Sequence, residues 1–198
     1  MTVSDPLRRA VRLVGFLNLA YFGVEMAVAL RIGSVSLLAD SADFFEDAAV
    51  NFLIFAALGW STVRRARVGM LLSAVLLAPA AAFLWTLWGK FTHPVAPEPL
   101  ALSLTGLGAL AINLFCAFTF ARYRARAGSL TRAAYLSARN DVIANLAIVA
   151  AGIATAVSRS LWPDVIVGFG IAAMNIGAAR EVWSAARGEH REAVGAQP

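Results

Sequence analysis

Hydrophobic residues run along this chain in six long stretches that are separated by short polar segments. The stretches cover residues 13–30, 35–60, 68–89, 99–121, 130–157 and 161–183. A helix needs about 20 apolar residues to cross the hydrocarbon core of a bilayer, and each stretch is close to or above this length. The pattern predicts an all-α fold, a polytopic membrane protein with a bundle of six transmembrane helices.

Composition and charge support a membrane location and predict the topology. The chain has 198 residues, of which 60% are hydrophobic and 15% charged, and this is too apolar for a soluble domain of that length. The net charge of +5 comes mainly from arginines in the predicted N-terminal segment, the 2–3 and 4–5 loops and the tail. By the positive-inside rule, both termini are predicted to be cytoplasmic. The basic residues therefore indicate orientation in the membrane, and no nucleic-acid partner is expected.

The same pattern predicts one domain and a location. Residues 1–185 are expected to form a single transmembrane domain, and residues 186–198 a short cytoplasmic tail. A multi-pass chain without an evident targeting peptide suits the cytoplasmic (inner) membrane of a bacterium.

The second stretch contains an unusual density of carboxylates in the segment LADSADFFEDAA. On a helix, Asp40, Asp43 and Asp47 fall at relative angles of about 0°, 300° and 340°. Asn51 follows near 20°, whereas Glu46 points away, toward about 240°. Three unshielded Asp side chains in a bilayer would cost roughly 7 to 10 kcal/mol. This polar stripe must therefore have partners inside the protein.

A position at the membrane interface is a simpler explanation for part of the stripe. Asp40 lies five residues from Val35, the predicted helix start, where the helix dipole favours a carboxylate. Asp47 lies about 18 Å from that start, too deep for this explanation. Asp40 is accordingly expected at the entrance of a deeper site.

The fifth stretch offers a partner for the stripe. Ser137, Asp141 and Asn145 recur every four residues and so share one helix face. Asp141 lies about 18 Å, and Asp47 about 20 Å, from the cytoplasmic ends of their helices. At this common depth, Asp43, Asp47, Asp141 and Ser137 would form an all-oxygen cage suited to a divalent cation.

Some polar side chains allow more than one interpretation. Arg139 could neutralise one Asp as a structural ion pair, and Glu25 could be solvated near the outer end of its helix. Cys116 is expected to be a small buried side chain rather than a ligand. Further polar residues expected around the cage or along the route to it are Asn18, Glu25, Asp40, Asn51 and Asn145.

The segments GSVSLLADSADFFEDAAVNFL and SARNDVIANLAIVAAG resemble the cation diffusion facilitator (cation efflux) family. The family's metal-binding pattern falls on Asp43 and Asp47 in the second helix and on Ser137 and Asp141 in the fifth. The resemblance implies metal export by proton antiport with alternating access, usually as a homodimer. The chain is similar to the short, membrane-only branch, which lacks the cytoplasmic C-terminal domain.

The predicted ligands limit which metal ions the site would prefer. Two functions other than transport also have to be considered. Ser137 stands where the family usually has a stronger ligand, which favours Mn²⁺, Fe²⁺ or Co²⁺, although three carboxylates also suit Zn²⁺. A di-iron oxidase would need His ligands, but His93 and His190 lie in a loop and in the tail. We therefore expect neither an enzyme nor a prosthetic group. A non-transporting metal-binding subunit or receptor is the main rival to a transporter.

Overall fold

The structure is a computed structural model that describes residues 5–57, 77–121 and 128–174. All the regular elements in these three ranges are helices, which confirms the predicted all-α class. In chain order they are α1 (Asp5–Ile32), α2 (Val35–Ala57), α3 (Leu77–Thr92), α4 (Pro99–Ala121), α5 (Gly128–Ser158) and α6 (Trp162–Met174). Each of them overlaps one of the six predicted stretches.

A two-residue turn joins α1 to α2 and makes the two helices antiparallel. Gly33 has a φ of 65°, in the left-handed region that glycine adopts after a helix C-terminus without steric cost. Ser34 follows as the N-cap of α2, and its Oγ accepts a hydrogen bond from the Leu37 amide at 3.2 Å. The sequence Gly-Ser therefore ends one helix and starts the next within one turn.

Aromatic side chains pack α1 against α2 along their length. Edge-to-face and tilted ring pairs of this kind stabilise helix contacts beyond the area they bury. The pairs are Phe16 with Phe52, Tyr21 with Phe44 and Phe22 with Phe45, with ring centroids 5.0 to 5.1 Å apart.

Glycines allow α4 and α5 to approach closely. A Cβ on Gly106 would lie 2.8 Å from the Ile148 side chain, and one on Gly152 would lie 3.1 Å from the Ser103 backbone nitrogen. Small residues at such positions are typical of helix packing in membranes. α1 packs on α4 as well as on α2, and α2 also contacts α3 and α5. α2 thus lies at the centre of the bundle.

Two apolar clusters divide the interior. One contains Ala29, Leu37, Leu38, Leu102 and Ile148 with neighbours from α3 and α6. The other contains Leu7, Val11, Val14, Cys116, Phe120 and Ala138. Along α1 and α4, the positions between these clusters are where the buried Asn18, Glu25 and Asn113 occur. The bundle therefore holds a polar layer between two apolar layers.

Three of the described helices are long and apolar enough to cross a membrane: Pro6–Ile32, Pro99–Ala121 and Ala138–Ser158. α2 has 23 residues, but its four carboxylates set it apart from an ordinary apolar span. α3 and α6 border segments that the structure does not describe. The count of six spans and the cytoplasmic side of the termini therefore stay predictions. Large exposed apolar side chains, such as Trp85 and Phe118, give the bundle a surface suited to lipid.

Candidate metal site

The acidic stripe of α2 lies inside the bundle. Asp40 and Asn51, at the two ends of the stripe, are buried, while Asp43 and Asp47 between them are half-buried. The surrounding helices shield the stripe because α2 is packed on several sides. This arrangement places the carboxylates inside the protein, away from the lipid-facing surface where they would be most costly.

An Asp followed four residues later by an Asn occurs on both α2 and α5, with the same local geometry. Asn51 Nδ2 donates to the Asp47 carbonyl at 2.7 Å, and Asn145 Nδ2 donates to the Asp141 carbonyl at 2.6 Å. In both amides the Oδ1 atom is buried without a hydrogen-bond partner. Each bond holds the amide nitrogen against its own helix, and the amide oxygen remains free to accept a hydrogen bond or to bind a cation.

The carboxylates of α2 and α5 lie within electrostatic range of one another. Asp43 and Asp141 are electrostatic neighbours, and so are Asp47 and Asp141. Three negative charges at such proximity attract a cation. Asp141 of α5 is therefore within electrostatic range of both Asp43 and Asp47 of α2.

The complete cage is not assembled within the described residues. In this part of the chain, no three His, Cys, Asp or Glu side chains converge closely enough to hold a metal ion. Ser137 lies on α5 four residues before Asp141, but its side chain is outside what the structure describes. The ligand set Asp43, Asp47, Asp141 and Ser137 consequently stays a prediction.

Polar residues of α1 lie beside the stripe. Glu25 is fully buried, so the expectation that it could be a solvated side chain is wrong. Asp40 is also fully buried, and it interacts with Glu25 rather than lying at a solvated helix end. Asn18 is buried as well, and its Oδ1 accepts a hydrogen bond from Cys116 Sγ at 3.7 Å. Packing of α1 against α2 covers these groups, which position along the chain could not reveal.

The structure gives the solvent exposure of three further side chains that the sequence singled out: Arg139, Cys116 and His93. Arg139 is exposed, and its ion pair with one of the Asp residues stays a prediction. Cys116 is fully buried, as expected for a small core side chain. His93 is exposed in the segment after α3, and His190 lies outside the described residues.

Asp164 is a site-positioning residue that the sequence pattern did not predict. It is fully buried at the start of α6, and its carboxylate accepts hydrogen bonds from both amides at the start of α2, Val35 and Ser36, at 2.8 and 3.1 Å. It also accepts from the hydroxyl groups of Ser34 and Ser36 at 2.7 and 2.6 Å. A carboxylate here complements the helix dipole. The isolated sequence signal, Pro-Asp at a helix start, indicates only a local cap.

Together these features define an α-helical membrane protein with a carboxylate cluster enclosed by its central helices. The family model of the cation efflux transmembrane domain matches residues 11–187. The chain therefore belongs to the cation efflux family, the cation diffusion facilitators, and is a membrane transporter of divalent cations. A search of curated proteins found no significant match to the chain.

Proposed function

We propose that the protein exports a divalent transition-metal ion from the cytoplasm in exchange for protons, by alternating access, and that it catalyses no enzymatic reaction. The observation that carries this proposal is the proximity of Asp43 and Asp47 on α2 to Asp141 on α5. The transported ion would be held by these carboxylates and by Ser137. Because the ligands come from two helices, a relative movement of α2 and α5 would open and close the site.

The donor set favours ions that accept oxygen ligands. Carboxylate and hydroxyl groups suit Mn²⁺, Fe²⁺ and Co²⁺, and Zn²⁺ also binds carboxylates. Ser137 supplies a neutral hydroxyl in place of a softer imidazole or thiolate.

Proton coupling follows from the chemistry of the ligands. A carboxylate must lose its proton before it can bind a metal ion, so that protons and metal compete for the same oxygens. Three carboxylates and a dication leave one formal negative charge, whereas a metal-free site can hold protons instead. This competition is the minimum requirement for exchange of the two ions across a membrane.

The cellular setting is also part of the proposal. We propose a homodimer in the inner membrane of a bacterium, with both termini in the cytoplasm. The excess of arginine in the predicted cytoplasmic segments supports this orientation.

Flux measurements test the proposal. Purified protein would be reconstituted into vesicles with an imposed pH gradient, and the movement of Mn²⁺, Fe²⁺, Co²⁺ and Zn²⁺ would be followed. We expect flux that depends on the gradient in the wild type and is lost in Asp47→Asn, because that variant lacks a charged ligand.

Glu46→Gln is the matched control. Glu46 is the adjacent carboxylate, about 100° away around the helix, and its replacement should preserve most of the flux. Metal binding without flux under any gradient would identify a non-transporting binding subunit and refute the transporter proposal. Gradient-independent flux would refute proton exchange.

A further inference from the structure

A second group of oxygen atoms lies inside the bundle and is distinct from the predicted cage. Glu25 of α1, Asp40 of α2 and Asn145 of α5 are each fully buried. Both carboxylate oxygens of Glu25, both of Asp40 and the Oδ1 of Asn145 have no hydrogen-bond partner. Five buried acceptors without donors are costly, and this cost indicates that a ligand belongs among them.

The three side chains are neighbours. Asp40 lies within side-chain interaction range of both Glu25 and Asn145, so it joins the group from α1 to α5. Glu25 and Asp40 also lie at similar depth, about 10 and 8 Å from the ends of their helices at the α1–α2 turn. Asp47 is about 10 Å further along α2 than Asp40. The group therefore lies closer to this turn than the centre of the predicted cage.

The described residues offer few hydrogen-bond donors to these five acceptors. Tyr21, whose ring is close to Glu25 and Asp40, donates its hydroxyl hydrogen to the Thr105 carbonyl at 2.6 Å. The amide nitrogen of Asn145 donates one of its two hydrogens to the Asp141 carbonyl, and only the second is left for Asp40. If Glu25 and Asp40 each carried a proton, the two O–H groups would add only two donors for the oxygen atoms of the three side chains. A divalent cation, by contrast, can contact all three side chains at once.

We infer that Glu25, Asp40 and Asn145 form a second divalent-cation site, between the predicted cage and the α1–α2 turn. Two carboxylates neutralise a dication, and the amide oxygen supplies a third, uncharged ligand, a donor set typical of hard cations such as Mn²⁺. The inference rests on the proposed function only for the role of this site, which would receive the ion as it leaves the cage. Binding itself does not depend on transport.

Binding stoichiometry tests this inference. Mn²⁺ would be titrated into the purified full-length protein in detergent, with free Mn²⁺ measured by electron paramagnetic resonance. We expect two ions per chain in the wild type and one in Glu25→Gln. Asp47→Asn should also bind one ion, and the double variant none. Glu98→Gln, which changes an exposed carboxylate outside the bundle, should still bind two.

Two further variants test the second site if Glu25→Gln fails to fold. Asp40→Asn should also bind one ion, while Asn145→Asp, which adds a third carboxylate, should bind two with higher affinity at the second site. Wild-type protein that binds a single ion, lost in Asp47→Asn, would overturn the second site, as would two ions in Glu25→Gln. Two bound ions without vesicle flux would instead refute transport and leave the second site standing.

Discussion

Ser34 and Asp164 are 130 positions apart in the sequence, yet the Ser34 hydroxyl donates a hydrogen bond of 2.7 Å to Asp164 Oδ1. Through this bond and those to the first amides of α2, helix α6 fixes the start of the helix that carries the acidic stripe. The position of Asp40 and Asp43 relative to α5 therefore depends on a carboxylate that is far from the cage.

Asp164→Asn should destabilise the protein by about 1 to 3 kcal/mol, because a charged acceptor is lost from a buried network. The amide also brings N–H donors to a position surrounded by donors. Thermal unfolding in detergent measures the loss. Glu98→Gln is the control, since Glu98 accepts from the first amides of α4 but is exposed. An equal effect of the two substitutions would contradict the importance of burial at Asp164.

Gly168→Ala should destabilise the protein by about 1 to 3 kcal/mol through overpacking. Its Cβ would lie 2.9 Å from the Ser36 backbone nitrogen and 2.8 Å from the Val35 side chain, and backbone atoms cannot move aside easily. Gly170→Ala is a matched control on the same helix. Nothing lies within 4 Å of its Cβ, and alanine should stabilise the helix by up to about 1 kcal/mol. Unfolding temperatures that fall in both variants would show that the contact is not the cause.

Ser137→His should shift ion preference toward Zn²⁺, because imidazole is a stronger ligand for zinc than a hydroxyl group. Competitive flux of Zn²⁺ and Mn²⁺ in reconstituted vesicles measures the preference. Ser129→His, at the start of the same helix and outside the cage, serves as the control. An unchanged preference in Ser137→His would remove this residue from the site.

Metal affinity should fall steadily as the pH is lowered across the neutral and acidic range, because protons and metal ions compete for the same carboxylate oxygens. The affinity falls rather than rises at low pH, because protonation of a carboxylate removes the charge and a lone pair that bind the metal ion. Titrations with Mn²⁺ at a series of pH values measure the effect in the wild type. Affinity that stays constant over this range would show that metal binding does not displace protons.

Much of the site was predictable because helix geometry relates spacing to direction. Asp43 and Asp47 repeat at four residues on α2, and Asp141 lies at a matching depth on α5, so periodicity and length predict that the three lie near one another. The repeated pattern of Asp followed four residues later by Asn was also visible in the sequence. It indicated a shared face, but the amide bonds to the Asp47 and Asp141 carbonyls were not predicted.

Side-chain burial at the α1–α2 turn was less predictable. Glu25 and Asp40 lie near the predicted outer ends of their helices, where carboxylates are commonly solvated. The packing of α1, α2 and α5 buries them completely. Linear distance from a helix end measures depth, but it does not tell whether a neighbouring helix covers the side chain.

The sequence by itself determined the helical class, the acidic stripe and its partner helix, because hydrophobic length and helical periodicity are local properties of the chain. The tertiary structure alone decided that Asp164 caps α2 and that Glu25 meets Asp40. Both relationships join residues of different helices, and they depend on how close packing, such as that at Gly168, brings those helices together. Contacts of this kind have no periodic signal in a single sequence.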